Sequence, residues 1–73
     1  MKNVFIGAIK PKLIGSSDSL INVKKLISEY WYSSSIRLEP ISFNEWNVYN
    51  AKGLVNGFKV MKRNGRYRFV SLT

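Results

Sequence analysis

The chain has no cysteine and no histidine. Their absence removes disulfides, thiol nucleophiles, imidazole acid–base chemistry and the common zinc ligands. Carboxylates are scarce: Asp18, Glu29, Glu39 and Glu45 are the whole set. Four scattered acids are poor material for a hydrolase or a two-metal centre. Ser33 to Ser35 have no histidine or positioned base to activate them. No glycine-rich phosphate loop is present. The apolar run Val4–Ile9 covers six positions and stops at Lys10-Pro11, too short for a signal-peptide core or a membrane span. These absences lead to the expectation of a non-enzymatic, cytoplasmic protein with no cofactor, no metal and no small-molecule substrate. Membrane attachment is not expected either, because no basic helix presents a sustained apolar face outward.

What is present fits one small folded domain spanning 1–73. The 73 residues are 45% hydrophobic and 14% aromatic, a composition that folds. A core of this size supplies only about 3–5 kcal/mol, so no large cavity is expected. Aromatic residues bury much area each, which is how so small a domain reaches stability. Twelve Lys and Arg against four acids give a net charge of +8. A charge that large favours a polyanionic partner.

The pattern along the chain reads as strand, helix, short strand, helix, hairpin. Val4–Ile9 reads as a strand, and residues 10–17 as a loop whose Lys10 and Lys12 are within reach of phosphate or simply solvated. Ser16-Ser-Asp-Ser19 offers helix N-cap oxygens. Leu20, Val23, Ile27, Tyr30 and Trp31 then recur at helical spacing up to about residue 32. Residues 35–41 alternate as a short strand, and Pro40 places it at an edge or ends it. Ser42-Phe-Asn-Glu45 reads as a capping box opening a helix to about Lys52, with Gly53 as its C-terminal cap. Residues 54–57 then turn the chain into the final hairpin. The expected core is Phe5, Leu20, Val23, Ile27, Trp31, Phe43, Trp46, Val60 and Phe69. The expected fold is a small α+β domain. Two helices pack on a three- or four-stranded, mostly antiparallel sheet with a C-terminal β-hairpin, winged-helix-like packing being the favoured variant.

The hairpin carries the functional reading. Asn64-Gly65 separates two alternating runs, 58–63 and 66–72, and demands a type I′ turn. The register then follows: Arg63 opposite Arg66, Met61 opposite Arg68, Lys59 opposite Val70. On the other face Lys62 meets Tyr67, Val60 meets Phe69 and Phe58 meets Ser71. Lys59, Arg63, Arg66 and Arg68 therefore share one face. Like charges directly opposite one another destabilise a strand pair, so a face that keeps them together suits an anion. Lys62 adds charge nearby. Asn44, Asn47 and Lys52, on the expected second helix, complete the candidate nucleic-acid-binding set, because Asn can bond bidentately to adenine in a major groove. An ordinary solvated surface is the bland alternative for each.

Ser42-Phe-x-Glu-Trp46 followed by Gly65-Arg-Tyr67 resembles small phage excisionases of winged-helix type, over about the last third of the chain. The second, Arg-rich helix of that family has no counterpart here. The resemblance implies a small regulator or accessory factor of a phage or mobile element. The functional expectation is duplex-DNA binding, favoured over RNA, with the basic hairpin on the phosphate backbone. The alternative is an interaction module or inhibitor docking its basic face on an acidic protein.

Overall fold

A computed structural model describes residues 11–72. The strand expected at Val4–Ile9, and Phe5 with it, lies outside the described residues. Within them the elements are β1 (Lys12–Ser17), α1 (Leu20–Tyr30), β2 (Arg37–Ser42), β3 (Glu45–Asn50), β4 (Gly53–Arg63) and β5 (Arg66–Ser71). The strands form one antiparallel sheet in the order β1-β5-β4-β3-β2. The single helix packs on one face, against β1 and β5.

The two-helix expectation is therefore corrected to one helix on five strands, and the winged-helix variant goes with it. Residues 42–52, expected as a helix, form the β2–β3 turn, strand β3 and the β3–β4 turn. Phe43, Trp46 and Leu54 do recur near helical spacing, but Trp46 and Val48 also alternate with Asn47 and Tyr49. The β-forming residues Trp, Val and Tyr decide for the pleat. Ser42 caps no helix; the Asn44 N–H donates to its Oγ at 3.4 Å, closing a tight turn. Gly53 is the first residue of β4 rather than a helix cap, and residues 54–57 are strand rather than turn. Residues 12–17, expected as loop, pair with β5 as an edge strand with a register shift between Leu13 and Gly15. Gly and two Ser give that segment little intrinsic strand preference; its partner strand supplies the order.

Helix α1 begins where the serine cluster places it, with Ser19 Oγ accepting the Asn22 N–H at 3.1 Å. Its Val23 and Ile27 are fully buried against Ile36, Val48, Val60 and Phe69. Leu20, Trp31 and Trp46 pack around that cluster. Trp31 meets Phe58 and Phe69 edge-on at 4.9 and 5.4 Å between centroids. Phe43 departs from the expected core: it is 92% exposed, because it sits in the two-residue turn between β2 and β3. Gly15 lets helix and sheet approach closely, since a Cβ there would lie 2.8 Å from a Leu26 methyl. β2 is an outer strand, consistent with Pro40, which has no N–H for a further neighbour.

Candidate functional site

The terminal hairpin has the register that its turn dictates. Arg63 pairs with Arg66, Met61 with Arg68, and Lys59 with Val70. Asn64 and Gly65 both take positive φ, 53° and 77°, as a type I′ turn requires. The apolar set Phe58, Val60, Tyr67 and Phe69 faces the helix. Alternation therefore turns Lys59, Arg63, Arg66 and Arg68 to the face opposite the helix.

Neighbouring strands extend that face. Asn47 lies opposite Lys59 across β3 and β4. Arg37 lies opposite Tyr49 across β2 and β3, its guanidinium carbon 4.7 Å from the ring centroid. All four arginines of the chain thus share the face opposite the helix. Leu13, on β1, and Val70, on β5, are paired there. Val70 is only 3% exposed and gives this face an apolar floor.

The cations are not equivalent. Lys59 Nζ lies 3.4 Å from Glu45 Oε1, both side chains about one third exposed. Arg37 Nε lies 2.8 Å from Glu39 Oε2. The two acids on this face are therefore already engaged. Among the described residues, Arg63, Arg66 and Arg68 have no carboxylate partner. Arg66 instead donates to Ser16 Oγ from Nε and Nη2, at 3.4 and 3.2 Å, which ties the hairpin tip to edge strand β1. Leu13, Ser16, Arg63, Asn64, Arg66 and Arg68 line a concavity of about 240 Å³ at that junction. Three guanidinium groups, each planar and always charged, around a hydroxyl make a surface suited to phosphate oxygens.

The other candidate residues fall in different places. Lys62 points to the helix side of the hairpin, its Nζ 5.3 Å from the Tyr67 ring centroid. It adds charge at the tip from the opposite face. Asn44 lies in the β2–β3 turn, where its carbonyl accepts the Lys62 N–H at 2.9 Å. That bond holds the two turns side by side. Asn44, Met61, Arg63 and Arg68 also share a second concavity of about 290 Å³. Asn47 is mid-strand beside Lys59. Lys52 lies in the β3–β4 turn, at the far end of the sheet from the tip; its N–H donates to Asn50 Oδ1 at 2.8 Å. Asn44, Asn47 and Lys52 thus share no helix, and none of them is placed to enter a major groove from a helix face. Ser16, read from the sequence only as part of a helix-cap cluster, and Arg37, read as a strand residue, were not among the expected site residues. Ser16 becomes part of the site only through pairing fifty residues away, which no local pattern announces.

Among the described residues no group of three or more His, Cys, Asp or Glu could hold a metal ion, and no helix is long and apolar enough to cross a membrane. Comparison with protein-family models, with curated proteins and with solved structures finds no match.

Proposed function

We propose that the protein is a non-enzymatic nucleic-acid-binding factor of the cytoplasm that grips the phosphate backbone with the tip of its terminal hairpin. Duplex DNA is the favoured target, and a small regulator or accessory factor the favoured role. The observation that carries the reading is the Arg63, Arg66 and Arg68 group. Three guanidinium groups stand on the sheet face opposite the helix, without carboxylate partners among the described residues, on a chain of net charge +8. Arg63 and Arg66 stand directly opposite each other, an arrangement that weakens a strand pair unless an anion joins it.

Contacts of this kind orient a protein on nucleic acid without choosing a sequence. The loss of the expected second helix removes the element that would have read bases in a major groove. Backbone binding by a sheet face and its tip needs no such helix. Each phosphate neutralised releases counterions, so three arginine contacts give a log–log salt slope of about −3 on duplex DNA. Binding of random-sequence duplex DNA is therefore expected to weaken about 60-fold for a fourfold rise in salt. Fluorescence anisotropy at two salt concentrations tests this. Absence of binding at the lower salt to either duplex DNA or RNA would overturn the reading and leave an acidic protein as the partner of this face.

A further inference from the structure

The second turn at the tip end of the sheet holds a large side chain that the fold does not use. Phe43 is 92% exposed and, among the described residues, its ring meets no other ring. The turn chemistry belongs to its neighbours. Ser42 Oγ donates to Asn44 Oδ1 at 2.9 Å and accepts the Asn44 N–H at 3.4 Å. Tight turns call for Gly, Asn, Asp, Ser or Pro, each for a backbone reason that Phe does not meet.

The position of this turn is fixed relative to the arginines. The Lys62 N–H donates to the Asn44 carbonyl at 2.9 Å, and Asn44 lines the same concavity as Arg63 and Arg68. A solvated aromatic ring therefore stands one residue from a cleft lined by two guanidinium groups. Phosphate-binding cations beside an exposed ring are the two components of a nucleotide-contacting surface: charge follows the backbone and the ring stacks on a base.

We propose that Phe43 stacks on an unpaired base, so that the site selects DNA that is locally open over DNA that is fully paired. The proposal rests on the nucleic-acid reading above and adds a substrate class to it. In a paired duplex every base face is covered by its neighbours, and a ring can enter only by unstacking a step. An unpaired base offers a free face at no such cost. Phe43 supplies the stacking partner while Arg63 and Arg68 hold the adjoining phosphates.

The test compares two duplexes, one fully paired and carrying one terminal 5′-phosphate to equalise the number of phosphates, the other with a single bulged adenine. The wild-type protein is expected to bind the bulged duplex about tenfold more tightly. Phe43→Ala should bring the two affinities together while leaving the salt slope unchanged, and Phe43→Trp should restore the preference. Equal wild-type affinity for the two duplexes overturns the proposal while the nucleic-acid reading stands, as does a Phe43→Ala variant that keeps the preference. If the wild type binds neither duplex at low salt, the nucleic-acid reading itself fails and the proposal falls with it.

Discussion

Tyr32 holds φ at 51°, just beyond the end of α1, where a left-handed residue lets the chain leave the helix. Glycine is the residue that does this without steric cost. Tyr32 is 97% exposed, so its side chain repays little of that cost by packing. Tyr32→Gly is expected to stabilise the fold by about 1 kcal/mol, read as a raised urea midpoint; a lowered midpoint would show that the ring contributes packing. The serines at 33–35 mark the end of the helix in the sequence, but nothing there reveals which residue takes the left-handed position.

Phe43 and Trp46 make the opposite pair. Both look like core residues in the sequence, and only one is. Trp46 pairs with Val60 and meets Tyr67 edge-on at 5.4 Å between ring centroids. Trp46→Ala should cost about 3 kcal/mol, the low end for a large aromatic because Trp46 is half-buried. Phe43→Ala should change stability by less than about 0.5 kcal/mol. Urea denaturation of the two variants checks both, and a strongly destabilised Phe43→Ala would place that ring in the core after all.

At the scale of elements, what was legible is what had two concordant signals. The terminal hairpin had a turn dipeptide and alternation on both sides, and its six observed pairs agree with that register. Helix α1 had a serine cap and a helical apolar period. Residues 42–50 carried conflicting signals: a capping-box pattern and near-helical aromatics against alternation in Glu45-Trp-Asn-Val-Tyr-Asn50. The alternation prevailed because a strand there pairs on both sides, with β2 and with β4. Strand β1 had almost no signal of its own. Its order comes from β5 and from the helix above it, and Gly15 is where the two layers meet. Gly15→Val would press on Leu26 from less than 3 Å and should cost about 1–3 kcal/mol. Thermal or urea unfolding measures it; an unchanged midpoint would mean that Leu26 moves aside freely.

The candidate site was partly legible for the same reason. Lys59, Arg63, Arg66 and Arg68 share a face by local register alone. The pairing of Lys59 with Glu45 and of Arg66 with Ser16 depends on strands distant in sequence. So does the removal of Lys52 to the far end of the sheet.

At the scale of the whole molecule, the sheet is two-sided in chemistry. One face is closed by α1 over an aliphatic and aromatic core. The other carries all four arginines, two engaged acids and the apolar floor at Val70. The two acids are matched by Lys59 and Arg37, which leaves Arg63, Arg66 and Arg68 as the arginines of this face without a carboxylate partner among the described residues. On the proposed reading, those three arginines are where a polyanion makes its first contact.

The most direct test of this account is the salt dependence of duplex-DNA binding by the double variant Arg63→Gln, Arg66→Gln. Removing two of the three cations should weaken binding to all sequences alike and flatten the log–log slope by about two units. Folding should be retained or strengthened, because a directly opposed like-charge pair is lost. A double variant with wild-type affinity and slope would contradict the account, since the hairpin tip would then not be the surface that meets phosphate.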